Sequence, residues 1–83
     1  MFTATITVTL RPSILDPEGK AIEHALHSLS LEQLAHVRVG KHIVLTVDTD
    51  DREAAEKMVD DACRKLLANL VMEDYTFTLE ASH

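Results

Sequence analysis

Residues 2 to 10 alternate without a break, with Phe2, Ala4, Ile6, Val8 and Leu10 on one parity and Thr3, Thr5, Thr7 and Thr9 on the other. A period of two cannot make an amphipathic helix, and threonine with aliphatic residues favours extended backbone, so the run predicts a strand over residues 2–11. One side of it must be covered by other elements, while the other side is a nearly uncharged row of threonines. Arg11-Pro12 ends the strand, because proline has no N–H for a ladder.

Asp16-Pro17 then reads as a helix start. The carboxylate can accept from free N–H groups of the first turn, proline is pre-set for the first helical position, and Glu18 has the right sign for the dipole. Over residues 17–29, a rotation of about 100° per residue gathers Ile22, Ala25, Leu26 and Leu29 into an inner stripe. Lys20, Glu23, His24 and His27 fall on the opposite side.

Residues 35–39 and 43–48 are two short β-rich runs around Gly40-Lys41-His42, which predicts a hairpin. A three-residue loop keeps Val37 and Val39 on the face of Ile43 and Leu45, and is favoured over a two-residue loop that splits them. Asp50 as N-cap with Glu53 resembles a capping box for a second helix over residues 51–68, with Ala55, Met58, Val59, Ala62 and Leu66 as its core stripe. Glu53/Lys57, Asp60/Arg64 and Asp61/Lys65 are acid-before-base pairs on its solvated side. A last alternating strand, residues 74–80, sends Tyr75, Phe77 and Leu79 to one side, and the tail to His83 is expected to fray.

The order β-α-β-β-α-β is that of a ferredoxin-like α+β sandwich, a four-stranded antiparallel sheet with both helices on one face. With 83 residues the chain supplies one domain and a small core, for which self-association adds welcome burial. A net charge of -6 disfavours nucleic acid and anionic lipid as partners. A single cysteine, Cys63, allows no intrachain disulfide and no multi-cysteine metal motif. No apolar run is long enough to cross a membrane, and the N-terminus lacks a leader's apolar region, so the chain reads as cytoplasmic.

Chemistry-bearing constellations are few. His24 and His27 are three apart on a helix, but a zinc site needs a third ligand and none is near in sequence. Cys63 has no adjacent base and reads as a packed small hydrophobe. Two glycines, Gly19 and Gly40, cannot make a phosphate-cradling loop. Catalytic, cofactor and metal residues are therefore expected to be absent. Arg11, Lys20, Arg38 and Lys41 stand at element ends, where isolated bases are usually solvated but four together could form a docking surface.

The segments Thr9-Leu10-Arg11, Asp16-Pro17-Glu18-Gly19-Lys20-Ala21, His24-Ala25-Leu26-His27-Ser28-Leu29, Val37-Arg38-Val39-Gly40-Lys41 and Leu66-Leu67-Ala68-Asn69 with Glu73-Asp74-Tyr75 resemble the PurS family. PurS is the small subunit of multi-subunit phosphoribosylformylglycinamidine (FGAM) synthase. Ser30, where the family is expected to have glycine, and His42, where it usually has an aromatic residue, depart from the pattern. The resemblance implies a non-catalytic docking subunit that brings the glutamine amidotransferase and the ATP-dependent synthetase together for ammonia transfer in purine biosynthesis. It also implies that ATP, Mg and glutamine are used by those partners and that the chain forms a homodimer or a dimer of dimers. The expected contact surface is Arg11, Lys20, His24 and His27 with Arg38, Gly40 and Lys41. The alternatives are an ACT-like module binding a small molecule, and an acylphosphatase-like hydrolase, for which the sequence after Arg11 lacks a glycine cradle.

Overall fold

The structure is a computed structural model and describes residues 1–82. The alternating first run is β1 (Phe2–Leu10), the central strand of an antiparallel sheet ordered β2-β1-β3, with β2 being Gly40–Val47 and β3 Glu73–Ala81. Ile6 stands opposite Ile43 on one side and Phe77 on the other, so the apolar parities of all three strands share a face. On that face Phe2, Ala4, Ile6 and Val8 are buried, with Leu45, Tyr75, Phe77 and Leu79 packed around them. Ala81 still belongs to β3, and the Ser82 N–H donates to the Met1 carbonyl at 2.9 Å, so the tail is tied down as far as Ser82. His83 lies outside the described residues.

The helix over this core is α2 (Arg52–Ala62), which continues as a π-helical turn, Cys63–Leu67. Its N-cap is Asp51, not Asp50: the Asp51 carboxylate accepts from the Glu53 N–H at 3.1 Å. Ala55 and Val59 face inward as expected. A π turn takes more residues than an α turn, so the phase of the stripe slips. Cys63, where the turn begins, is fully buried as expected, while Leu66, expected in the core, is 83% exposed. Two of the three acid-base pairs close, Asp60–Arg64 at 2.7 Å and Asp61–Lys65 at 3.9 Å.

The expected fourth strand, residues 35–39, does not form, and the sheet has three strands. His36 takes a left-handed conformation with φ of 58°, which breaks an extended run. Beyond it the Val37 and Val39 N–H groups are given to carboxylates of the preceding helix and not to a neighbouring strand. The predicted hairpin is absent as well, for Gly40-Lys41-His42 opens β2 instead of turning. Gly40 has no positive φ; it sits opposite Thr9, where a Cβ would meet the Val8 carbonyl oxygen at 2.5 Å. Close approach of two backbones, not a turn, requires glycine there.

The first helix, α1 (Pro17–Ser28), has the predicted cap, with the Asp16 carboxylate accepting from the Gly19 N–H at 2.9 Å. It ends in a Schellman motif: the Leu31 N–H donates to the Leu26 carbonyl and the Ser30 N–H to the His27 carbonyl, at 3.0 and 3.1 Å. The motif needs a left-handed residue, and Ser30 supplies it with φ of 67° where glycine would be unstrained. α1 makes no extensive contact with the sheet. It runs beside residues 31–39 as an arm, and Ile22 and Leu29 of its apolar stripe are 40% and 70% exposed. The chain spans 49 × 29 × 14 Å with a radius of gyration of 16.3 Å, whereas a compact domain of this length has about 12 Å.

Candidate docking site

The arm is held by side chains that the sequence offered as a site. Asp16, 4% exposed, receives the Gly19 N–H with one oxygen and the Val39 N–H with the other at 2.7 Å, so one carboxylate caps α1 and anchors residues 37–39 to it. These two backbone donors, Val39 foremost, hold the Asp16 carboxyl below its ordinary value. The Glu23 carboxylate accepts from the Val37 N–H at 3.3 Å, and its carboxyl is lowered for the same reason. Gly19 is buried because the Val37 carbonyl oxygen occupies the space a Cβ would need.

Several of the expected contact residues spend their polar groups inside this arm. Arg38 donates to the carbonyls of Arg11 and Ile14 at 2.9 and 2.8 Å, locking the connection after β1. Arg11 donates to the Leu70 carbonyl at 2.5 Å, and its Nε lies 3.4 Å from Asp74, tying the same connection to the turn before β3. The His27 Nε2–H donates to the Leu34 carbonyl at 2.8 Å, so His27 faces the following loop. Lys41 lies 3.9 Å from Glu73. Lys20 and His24 are exposed on α1, Lys20 at the groove described below. The set is thus gathered into one unit, with Arg11, His27 and Arg38 shaping it and Lys20 and His24 presented to solvent.

Between the arm and the end of β1 is a groove of about 710 Å³, lined by Leu10, Leu15 and Val37 together with Lys20, Glu23 and Arg38. Lys20 and Arg38 share its lining with Asp16, Glu23 and Asp74, so both charge signs are present. The pattern suits a polar-rimmed protein contact better than capture of a small anion. A second feature escaped sequence reading: Leu66, Leu70, Val71 and Met72 are all exposed around the turn before β3. Leu70, Val71 and Met72 follow Asn69 directly, and a run of three apolar residues at a helix stop is the signal that could have marked them.

Cys63 is no candidate nucleophile, since burial, and after it the Asp60 charge, push its thiol upward. Asp60 instead pairs with Arg64 and accepts from the Tyr75 hydroxyl, joining α2 to β3. The tyrosine hydrogen bond is the main cause holding the Asp60 carboxyl below its ordinary 3.8. Tyr75→Phe is expected to let that carboxyl titrate back up toward the ordinary value, followed by carbon-detected NMR titration. An unchanged midpoint would show that Arg64 alone sets it.

Three comparisons bear on this architecture. Residues 3–81 match the family model PurS, described as phosphoribosylformylglycinamidine (FGAM) synthase. Phosphoribosylformylglycinamidine synthase subunit PurS of Bacillus subtilis is 42% identical over 80 residues, 96% of this chain and 94% of that protein. Among solved structures, Methanocaldococcus jannaschii PurS, one of the subunits of formylglycinamide ribonucleotide amidotransferase in the purine biosynthetic pathway, superimposes with a TM-score of 0.89 at 32% identity, covering 100% of both chains. A chain in the structure of PurLQS from Thermotoga maritima gives 0.88 at 34% identity over 95% of this chain and 96% of that one. With the family model and full-length relatives in agreement, this chain belongs to the PurS family.

Proposed function

We propose that the chain is the small, non-catalytic subunit of FGAM synthase, docking the glutamine amidotransferase to the ATP-dependent synthetase for ammonia transfer in purine biosynthesis. The observation that carries this reading is the full-length likeness to the chain in PurLQS. ATP, Mg and glutamine are then the business of the two larger subunits, in the cytoplasm. The physical role is positional: ammonia released at one site reaches the second before dilution or protonation when the two are held in register, which raises its effective concentration. The exposed Lys20 and His24 of α1, with Lys41 at the start of β2, supply the outward contacts, and Arg11, His27, Arg38 and Gly40 hold the surface in shape.

The test is reconstitution with the two larger subunits of the same organism. Omitting the chain is expected to lower glutamine-dependent turnover at least tenfold and to leave ammonia-dependent turnover nearly unchanged. Lys20→Ala with His24→Ala is expected to weaken co-elution of the three subunits without altering the circular dichroism of the isolated chain. Glutamine-dependent turnover that is the same with and without the chain would sink the reading.

A further inference from the structure

In the groove between the arm and the end of β1, the acids are satisfied from within the chain and the bases are not. Asp16 accepts from the Gly19 and Val39 N–H groups with separate oxygens, Glu23 accepts from the Val37 N–H, and Asp74 lies beside Arg11. Lys20 and Arg38 line the same groove and form no ion pair among the described residues. Arg38 uses one nitrogen, Nη2, for the Arg11 and Ile14 carbonyls, which leaves its other N–H groups unengaged. His36 also lines the groove, exposed and held in its left-handed conformation next to the Glu23 clamp. Such strain persists where the surroundings over-determine it, and it gathers at binding sites. The apolar part of the lining is Leu10, Leu15 and Val37, with Leu15 68% exposed. Arg11 extends the surface: its N–H donates to the Met72 carbonyl at 2.8 Å and its guanidinium to that of Leu70, which brings the exposed Leu70, Val71 and Met72 turn up to the Leu10 and Pro12 side of the groove.

We infer that this groove receives a segment of one of the larger subunits in which an aspartate or glutamate stands among aliphatic residues. The carboxylate meets Lys20 and the unengaged Arg38 N–H groups, and the aliphatic side chains lie on Leu10, Leu15 and Val37. The inference rests on the docking reading and adds the chemistry of what docks. A carboxylate is the acceptor that suits two bases at once, because hydrogen bonds between ionised partners are roughly twice as strong as neutral ones. An inorganic anion would leave the apolar lining uncovered, and an uncharged aliphatic segment would cover the basic groups without pairing them. The lining is already fixed by the Arg38 bonds to two carbonyls and by the Asp16 bond to Val39, so binding has little left to order. The charge pair then supplies orientation and on-rate, while the apolar contact slows release.

The experiment uses the assembled three-subunit complex. A photoreactive benzoylphenylalanine at position 15 is expected to link to a larger subunit, and mass spectrometry of the link to place an aspartate or glutamate among aliphatic residues at that point. Lys20→Glu leaves α1 sound, since an acid near the helix start suits the dipole, and is expected to raise the Kd for the two larger subunits by roughly tenfold or more. Lys57→Glu, the same charge change at an exposed position of α2, is expected to stay within about twofold of wild type. Changing the acid of the linked segment to lysine is expected to weaken binding of the wild-type chain and to bring Lys20→Glu back to within about threefold of the original pair. A link to a second copy of this chain, Lys20→Glu binding as tightly as wild type, or a charge exchange without recovery would overturn the inference while the complex still assembles. A wild-type chain that does not join the larger subunits would overturn the docking reading and the inference with it. Should the label at position 15 disturb the fold, position 12 in the same groove carries it, with the same two outcomes.

Discussion

Gly19→Ala is expected to destabilise the arm, although alanine is the better helix former by about 1 kcal/mol in a helix interior. The new methyl would stand inside contact distance of the Val37 carbonyl oxygen and about as close as 3.0 Å to its carbon and to an Asp16 carboxylate oxygen. The first two are backbone atoms and cannot swing aside, and Asp16 is fixed by its hydrogen bonds to Gly19 and Val39. Relief therefore comes only by lifting residues 37–39 off α1. Overpacking of this kind costs about 1–3 kcal/mol, which exceeds the propensity gain at its upper end. Hydrogen exchange should read the effect locally, with the Val37 and Val39 amides exchanging at least tenfold faster while β1 amides keep their protection. A higher melting temperature with unchanged exchange at those two amides would mean that propensity wins and that the arm is not clamped at Gly19.

Local signals predicted local structure well here. The β1 alternation, the Asp16-Pro17 helix start and the final alternating strand each satisfy hydrogen bonds and burial within a few residues, and all three stand where the pattern puts them. The misses share a non-local cause. Gly40 reads as a turn residue, yet its role is set by the Val8 carbonyl of a distant strand. Residues 35–39 have strand composition, but carboxylates from α1 take two of their N–H groups, and His36 adopts a conformation that composition does not announce. The π turn moved Leu66 outward, because a one-residue change in helical phase leaves hydrophobic periodicity legible but points it the wrong way. The α1 stripe is apolar as its period predicts, yet Ile22 and Leu29 stay exposed: periodicity tells which face wants cover, not whether the chain's own sheet supplies it. The same limit applies to the site, where Arg11, His27 and Arg38 were legible as a cluster but their use as internal braces depends on carbonyls from three separate connections.

Acid should open the arm before it melts the sheet. Asp16 and Glu23, with ordinary values of 3.8 and 4.5, are both held lower in the folded chain, chiefly by the Val39 and Val37 N–H groups respectively. A carboxyl whose folded value is depressed stabilises the fold fully above its unfolded value, and that contribution drains away as pH falls through the folded value. Stability lent by these two groups is therefore complete near neutrality, begins to fall at about pH 4.5, and continues falling below about pH 4. The three β-strands depend on neither carboxylate. Amide exchange and chemical shifts of α1 and residues 37–39 should accordingly respond to acidification directly, while β1, which neither carboxylate touches, keeps its protection until the sheet itself unfolds. Asp16→Asn with Glu23→Gln is expected to loosen the arm already at neutral pH and to abolish the first acid step. If the wild-type arm opened only together with the sheet, or if the double variant retained the wild-type acid profile, the clamps would not be what holds residues 37–39 on α1.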